Sequence, residues 1–276
     1  MCKSRRNALR PAAFTFETLM SELSKQPTQF GAVAPHYDLL MQGVPYAAWI
    51  LYLRQILSVW NVTPRTVLDL ACGTGNVTEL LLEEGYDVVG VDIAEDMIAQ
   101  ARNKADEKGL TIPYYIQDAA ELDLEKRRFD LCVSLFDSMN YILEPKRLQM
   151  AFERVYAHLN KEGLFIFDLN TDFALQNQFF DQDNIKSTEP LKYDWRSTYY
   201  PKSNRCKIDM QFAYAQEGGE IMQFKEVHWQ YAYSVQQIVE MLTAAGFSLY
   251  ETYQAYTLRS PSTTADRIFY VAKKRA

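Results

Sequence analysis

The residues with the clearest chemical content lie in the run 67–76 and at position 92. An apolar segment stops at a turn that contains Gly73 and Gly75, and a second apolar segment ends in Asp92. Glycines let a backbone approach a ligand where a Cβ would clash, and an acid at a strand end can accept hydrogen bonds from both hydroxyls of a ribose. The pattern therefore predicts a unit that binds a nucleoside.

A dinucleotide is the first alternative for the ligand of this unit. Its fingerprint, G-x-G-x-x-G/A, needs a third small residue for close helix packing beside a pyrophosphate, and counting from Gly73 that position is Thr78. The sequence also shows no second mononucleotide-binding half. An oxidoreductase with a nicotinamide cofactor is therefore the less favoured interpretation.

The run 69–76, D-x-A-C-G-T-G-N, resembles motif I of the class I methyltransferases that use S-adenosylmethionine. The resemblance implies that Asp69 holds the glycine loop or reaches the methionyl ammonium, and that Asp92 holds the ribose. Asp118 follows the third strand and would flank the adenine. The expected cofactor is S-adenosylmethionine, with S-adenosylhomocysteine as product. The other cofactor contacts implied are Ala71, Gly73, Gly75, Ile93, Met97, Ala119 and Phe136.

Two further segments resemble a bacterial subgroup of methyltransferases of the small-molecule type. Residues 37–49 read Y-D-x-L-M-x-x-V-P-Y-x-x-W, and residues 137–141 read D-S-x-N-Y. The resemblance implies that Tyr37 closes over the cofactor, and aromatic rings beside a sulfonium are physically favourable because a cation is attracted to a ring face. Trp49 is a second such ring, although a core position on its helix is the alternative.

Asp137 and Asn140 are the candidates for holding a polar acceptor beside the methyl group, with a turn and a helix cap as the structural alternative. Glu226, His228 and Gln230 alternate with apolar residues and share one face of a predicted strand. If that face points inward, His228 is the histidine placed to act as a general base, because imidazole titrates near neutral pH. A purely structural histidine is the alternative.

The elements that must position these residues follow an α/β rhythm. Five strand-like segments alternate with amphipathic helices, which predicts a parallel sheet covered on both faces. Two later strands would complete seven, with the last strand reversed if the resemblance holds. The predicted strands of this sheet are 66–71, 87–92, 112–117, 129–136, 163–169, 247–253 and 267–272.

The rhythm changes between residues 170 and 233. Three aromatic-rich strands are predicted there, separated by turn-like segments at 201–204 and 217–220, and residues 234–237 form a capping box that opens the next helix. The predicted strands are 192–200, 205–215 and 221–233. The expected fold is thus a Rossmann-like, seven-stranded, mostly parallel methyltransferase sheet with an antiparallel β lid inserted after the fifth strand.

This fold gives a predicted domain organisation. A cofactor-binding domain comprises residues 30–169 and 234–276, and a substrate lid comprises residues 170–233. Residues 1–29 carry basic residues without sustained apolar periodicity and are expected to form a poorly ordered extension, with a basic arm as the alternative.

Composition excludes several classes of protein. The formal net charge of −6 provides no basic field for a phosphate backbone, so nucleic acid is an unfavoured partner. The four cysteines form no C-x-x-C pair and have no metal-ligand spacing with the three histidines, which predicts no metal site and a reducing, cytoplasmic location. No apolar run reaches the roughly 18 residues of a membrane span.

The sequence therefore predicts an enzyme that moves a methyl group from S-adenosylmethionine to a nitrogen or oxygen atom of a small molecule by in-line displacement. RNA or protein methylation is an alternative that only the N-terminal arginines support, and a methyltransferase-like protein that binds cofactor without turnover is another. Neither the acceptor nor the oligomeric state follows from the sequence.

Overall fold

The structure of the protein is a computed structural model that describes residues 29–188, 191–215 and 221–275. A seven-stranded sheet forms its centre, with the strand order β10-β11-β5-β4-β1-β2-β3. The strands of this sheet are β1 Thr66–Leu70, β2 Asp87–Asp92, β3 Tyr114–Ile116, β4 Phe129–Ser134, β5 Leu159–Asn170, β10 Leu249–Gln254 and β11 Arg267–Lys273. Only β11 runs antiparallel to its neighbours, as predicted for the last strand.

Helices cover both faces of this sheet. Alternate residues of β5 point to opposite sides, so that Phe165 and Phe167 join one core cluster while Leu164 and Ile166 join the other. This alternation of buried residues on both faces explains why the strand is almost continuously apolar. The helices are α1 Tyr37–Leu40, α2 Tyr46–Val59, α3 Asn76–Glu83, α4 Glu95–Glu107, α5 Pro145–His158, α6 Asp172–Gln176 and α7 Val235–Ala244. Three 3₁₀ helices span Ala34–His36, Ala119–Glu121 and Ser138–Tyr141.

A separate antiparallel sheet, the insertion sheet, lies in the chain between β5 and α7. Its strands are β6 Gln182–Asp183, β7 Leu191–Tyr200, β8 Arg205–Ala215 and β9 Ile221–Tyr231, in that spatial order. On β8 the apolar residues Ile208, Met210 and Phe212 are buried while Gln211 is exposed, so the sheet has one apolar inner face. The antiparallel insertion is therefore confirmed. The predicted turn at 217–220 lies in a part of the chain outside the described residues.

Several strand ends differ from the prediction for identifiable reasons. β4 ends at Ser134 because Phe136 and Asp137 have left-handed φ values of 67° and 53°, which a strand cannot accommodate. β5 begins at Leu159, which pairs with Phe129 before a register shift. β9 ends at Tyr231, and the Tyr233 hydroxyl donates a hydrogen bond to the Ile142 carbonyl in the main core.

The capping box before α7 is present, since the side chains of Ser234 and Gln237 each bond the other residue's backbone N–H. Of the predicted extension at 1–29, all but Gln29 lies outside the described residues. Within the described part of the chain, no helix combines the length and apolar character needed to cross a bilayer.

Candidate active site

One cavity of about 610 Å³ lies between the carboxyl ends of the central strands and the inner face of the insertion sheet. Parallel strands end at the same edge of a sheet, which is where open α/β folds bind ligands. Two of the residues predicted from sequence, Gly75 and Asn140, do not line the cavity. Those that do are Tyr37, Trp49, Asp69, Ala71, Gly73, Asp92, Ile93, Met97, Asp118, Ala119, Phe136, Asp137 and His228.

Asp92 holds the glycine loop in place. Its Oδ2 accepts a hydrogen bond from the Gly73 backbone N–H at 2.8 Å, and its Oδ1 accepts one from the Ala94 N–H at 2.8 Å. Gly73 has φ 55°, and a Cβ there would meet only the Met97 side chain at 3.8 Å, so the loop leaves room beside this carboxylate. Burial raises the pKa of Asp92, and the backbone hydrogen bonds partly offset that rise.

Gly75 is required for packing and does not face the cavity. It has φ 80°, and a Cβ at this position would collide with the Tyr114 hydroxyl. Gly75 was expected to contact the cofactor directly. In the structure a glycine is needed there because the loop turns tightly against Tyr114 of β3 before α3 begins.

Asp69 is a buried carboxylate at the base of the loop, with 2% of its surface exposed. Its Oδ2 accepts a hydrogen bond from the Thr78 hydroxyl at 2.5 Å. Burial raises the pKa of Asp69 to about 7, the Thr78 hydrogen bond opposes this rise, and the Asp92 charge adds to it. Among the residues that the structure describes, no basic side chain pairs with it, so the site holds an acid without a counter-cation.

Asp118 caps a 3₁₀ helix at the cavity wall. Its Oδ1 caps the 3₁₀ helix Ala119–Glu121 by accepting the Ala120 N–H at 2.8 Å, and its Oδ2 accepts Arg147 Nη2 at 2.7 Å. Both Asp118 and Ala119 line the cavity. The cap therefore fixes the acid at the cavity wall.

Residues 29–41, which we call the strap, cross the front of the cavity. At one end, Asp38 Oδ1 accepts hydrogen bonds from the Thr74 hydroxyl at 2.6 Å and from Asn76 Nδ2 at 2.9 Å. At the other end, the Val33 N–H donates to Glu226 Oε1 on the insertion sheet at 2.8 Å. The strap thus connects the glycine loop to the insertion sheet.

The aromatic residues at the front contact the cavity and each other. Tyr37, on the strap, packs edge-on against Phe30 with ring centroids 6.2 Å apart, and burial raises its pKa. Trp49 is 6% exposed and packs against Phe136 at 5.2 Å. Trp49 is therefore both a core residue of α2 and part of the cavity wall.

Asp137 and Arg267 line one end of the cavity, and we call the cluster that they form with the buried Asp168 the floor. Arg267 Nη2 donates to Asp137 Oδ1 at 2.7 Å, and its Nη1 donates to Asp168 Oδ2. Asp168 also accepts the backbone N–H groups of Phe136 at 2.7 Å and of Asp137 at 3.0 Å, which stabilises this left-handed pair. Burial lowers the pKa of Arg267, but the two carboxylates outweigh that effect and raise it.

Asn140 is fully buried and is committed to backbone groups. Its Nδ2 donates to the carbonyls of Asn170 and Tyr231 at 3.1 and 3.0 Å, and its Oδ1 accepts the Asn170 N–H at 3.0 Å. The expectation that Asn140 holds the acceptor is therefore wrong in this structure. The residue instead ties the 3₁₀ helix after β4 to the ends of β5 and β9.

Two side chains on the inner face of β9 and Tyr141 of the 3₁₀ helix Ser138–Tyr141 form a hydrogen-bonded chain. His228 Nε2 lies 2.6 Å from Glu226 Oε2, and His228 Nδ1 lies 3.2 Å from the Tyr141 hydroxyl. In the neutral tautomer that carries its proton on Nε2, His228 donates to Glu226 and its Nδ1 accepts from the Tyr141 hydroxyl. Burial raises the pKa of Tyr141, which therefore stays a neutral phenol. Gln230, next on this face, donates to Asp137 at 2.6 Å.

Sequence reasoning missed four residues of this site: Asp38, Tyr141, Asp168 and Arg267. Asp168 gave a usable signal, since it is a charged residue inside the apolar run 164–169 at the same sheet edge as Asp69. Asp38 and Tyr141 stand within the quoted segments 37–49 and 137–141, whereas Arg267 gave no signal because its partner Asp137 lies 130 residues away in the chain. Within 29–188, 191–215 and 221–275, no group of three or more His, Cys, Asp or Glu side chains could hold a metal ion.

Comparison with known proteins finds methyltransferases. The family model described as a methyltransferase domain matches residues 67–163. A protein of Geobacillus sp. (strain WCH70) that carries a methyltransferase name is 34% identical over 86% of this chain and 96% of its own length. An S-adenosylmethionine-dependent methyltransferase from Clostridium acetobutylicum is 28% identical, with a TM-score of 0.78 over 90% of this chain and 99% of its own.

A more distant structure has the same fold. The sugar N-methyltransferase KedS8 from Streptoalloteichus is 21% identical, with a TM-score of 0.69 over 100% of this chain and 99% of its own. At that identity the likeness is one of architecture. The long, nearly full-length match to the Geobacillus relative and the Clostridium structure establish that this chain belongs to the class I methyltransferase family.

Proposed function

We propose that this protein transfers a methyl group from S-adenosylmethionine to a nitrogen or oxygen atom of a small molecule. The observation that carries the proposal is the buried Asp69 carboxylate without a counter-cation, beside Asp92 and an open glycine loop in the same cavity. A cationic nucleoside ligand would supply the charge that this acid lacks.

The residues at this end of the cavity fit that cofactor. Asp92 would accept the ribose hydroxyls, since each of its oxygens has a lone pair left beside the backbone N–H it already accepts. Asp69 would face the methionyl ammonium. Asp118 would flank the adenine. The apolar contacts at the same end would come from Ala71, Ile93, Met97, Ala119 and Phe136.

The bound cofactor supplies an already activated methyl group, so the protein has to orient the acceptor and exclude water. Tyr37 and the strap stand between this end of the cavity and solvent. The buried floor of Asp137, Asp168 and Arg267 carries a net charge of about −1 when all three groups are ionised, which favours a cation above it.

His228 would act as the proton acceptor through Tyr141. An acceptor N–H or O–H would donate to the Tyr141 oxygen, while the Tyr141 hydroxyl proton already points to His228 Nδ1. As the acceptor atom is methylated, its proton would pass to Tyr141 and the Tyr141 proton to His228, leaving an imidazolium paired with Glu226. Asp137 would orient this end through Gln230.

We further propose that residues 170–233 act as a substrate lid on a cofactor-binding domain formed by 30–169 and 234–276. The support is that the inner face of the insertion sheet lines the cavity opposite the glycine loop. Walls from the strap and from this sheet leave a space suited to a small molecule, which disfavours RNA and protein acceptors.

Calorimetry with S-adenosylhomocysteine tests the cofactor assignment. Asp92→Asn should bind about tenfold or more weakly, because a charged hydrogen bond to a ribose hydroxyl contributes roughly 1.5 to 3 kcal/mol. Asp87→Asn, at the exposed other end of β2, is the matched control and should bind normally. If the folded Asp92→Asn protein binds S-adenosylhomocysteine with unchanged affinity, Asp92 does not contact this ligand.

The transfer itself is tested by incubating the protein and methyl-labelled cofactor with fractionated cell extract. Label should appear in the low-molecular-mass fraction. Label confined to RNA or protein would overturn the small-molecule proposal, and binding without labelling of any fraction would indicate a protein that binds cofactor without turnover.

A further inference from the structure

The half of the cavity remote from the glycine loop differs sharply in chemistry from the half described above. Its walls come from the strap and the insertion sheet and are almost entirely apolar or aromatic. We call this half the acceptor chamber and define it by Phe30, Phe180, Trp195, Ile208, Met210 and Phe212. Ile208, Met210 and Phe212 are each less than 8% exposed and follow one another on the inner face of β8.

The cations of the cavity are already neutralised by acids. Arg147 pairs with Asp118 and Glu121, and Arg267 pairs with Asp137 and Asp168. Among the described residues that line the cavity there is no lysine and no other arginine. Phosphate recognition in proteins relies on arginine, lysine or a helix N-terminus, and the chamber offers no unpaired basic side chain for it.

A few polar groups stand beside these apolar walls, and Gln29 of the strap and Gln182 of the insertion sheet are among the residues that line the cavity. Tyr141, His228 and Gln230 stand where the chamber meets the floor of the cavity. A second polar point is Trp195, which lines the chamber and whose indole Nε1–H is buried without a hydrogen-bond partner. A buried donor without a partner is costly, and an oxygen of a ligand would satisfy it.

We propose that the methyl acceptor is an unphosphorylated, largely apolar molecule containing an aromatic or alicyclic ring. It presents one N–H or O–H group to Tyr141 and one hydrogen-bond-accepting oxygen to Trp195. This inference rests on the proposed function and narrows its substrate class. It excludes a nucleotide-activated sugar as acceptor, because a diphosphate would lie against apolar walls where the described residues offer no unpaired arginine or lysine.

The test uses the full-length protein saturated with S-adenosylhomocysteine. The first probe is N-phenyl-1-naphthylamine, an uncharged apolar amine with one N–H that fluoresces in apolar sites. The second is dTDP-glucose, a nucleotide sugar. The fluorescent amine should bind saturably, and a large excess of dTDP-glucose should not displace it.

Phe212→Lys places a charge on the inner face of the insertion sheet, where its cross-strand neighbour is Phe224, and should weaken probe binding by about tenfold or more because burying an unpaired ammonium is strongly unfavourable. Gln211→Lys, on the exposed face of the same strand, is the matched control and should bind the probe normally. Phe180→Lys, at a half-buried position, is the second chamber variant if Phe212→Lys fails to fold.

Three results would overturn the inference. They are displacement of the amine by dTDP-glucose, tighter binding of dTDP-glucose than of the amine, and normal amine binding by folded chamber variants. Each variant is also titrated with S-adenosylhomocysteine. Failure of the wild-type protein to bind that ligand would count against the proposed function, whereas intact binding with loss of the probe pattern would count only against the acceptor chemistry.

Discussion

Asp69 is the residue whose ionisation most directly couples to the proposed ligand. Burial raises its pKa to about 7 in the ligand-free protein, so it is largely protonated at pH 6 and largely ionised at pH 8. The amino-acid ammonium group, which S-adenosylhomocysteine retains, would bind the ionised form. Affinity for S-adenosylhomocysteine should therefore rise about tenfold per pH unit below pH 7 and level off above it.

Calorimetry in buffers of different ionisation enthalpy measures the accompanying proton release, which should approach one proton near pH 6. Asp69→Asn should bind weakly at every pH, whereas Asp87→Asn should keep the wild-type dependence of affinity on pH. An affinity that does not change with pH would show that Asp69 does not contact the ligand.

The raised pKa of Asp69 has the opposite consequence for folding. Because the folded protein holds this proton more tightly than the unfolded chain, stability of the ligand-free protein should fall as pH rises from about 4 to about 7.

His228 and Tyr141 are expected to act as one unit. His228→Gln keeps a hydrogen-bonding group between Glu226 and Tyr141 but cannot take up a proton, so kcat should fall by roughly a hundredfold or more while cofactor affinity stays within about threefold. Tyr141→Phe should behave similarly, and the double variant should be little worse than either single one.

The control for this pair is His36→Gln, since the His36 ring stacks on Phe224 and does not line the cavity. Steady-state kinetics with the identified acceptor provides the measurement. A multiplicative loss in the double variant, or a loss confined to KM, would show that the two residues do not share one proton pathway.

Among the elements, the strap is held to the glycine loop by hydrogen bonds to Asp38, and we expect it to slow the release of the ligand. Asp38 receives hydrogen bonds from Thr74, Asn76 and Lys104, and these bonds lower its pKa although burial opposes them. Asp38→Ala should release the strap from the glycine loop. We expect several-fold faster dissociation of S-adenosylhomocysteine, measured by stopped-flow displacement.

Stability should change little in this variant, by about 1 kcal/mol or less, because partly exposed ion pairs contribute weakly. Asp106→Ala, an exposed acid on α4, serves as the control and should leave the dissociation rate unchanged. Large destabilisation with normal dissociation would make the strap a packing element only.

Sequence patterning predicted elements much better than it predicted contacts between them. Strands β2 and β8 match their predicted bounds because apolar runs and turn residues act locally. The left-handed turn at Phe136 and Asp137 was missed because it depends on Asp168, about thirty residues later. Asn140 was misassigned for the same reason, since a backbone clamp and a substrate contact look alike in sequence.

At the scale of the whole molecule, ligand binding should be visible in thermal unfolding. A ligand at about 100 times its Kd stabilises a folded protein by about 2.7 kcal/mol. For a chain of this size that corresponds to a rise in Tm of roughly 5 to 10 °C. S-adenosylhomocysteine should produce this shift, and NAD at the same concentration should not. A larger shift with NAD would contradict the assignment of the cofactor.

The sequence allowed the central sheet to be predicted, but it did not allow the contacts around the cavity to be predicted. The seven-stranded sheet and its reversed last strand followed from the strand pattern and the resemblance to the family, and the structure has both. The contact between the strap and the insertion sheet could not be predicted from the sequence. Phe30 and Glu226 are 196 residues apart, and no motif in either segment indicates that the two segments meet.

The position of β11 has a consequence for biosynthesis. This strand is made after every other strand of the central sheet, yet it lies between β5 and β10. During translation the edge of β5 therefore stays open and β10 has no partner in that sheet. Asp137 and Asp168 likewise await Arg267, which is 130 and 99 residues later in the chain. A nascent chain that lacks β11 should expose an unpaired strand edge of the kind that chaperones bind, and the floor of the catalytic cavity should be among the last parts of the protein to become ordered.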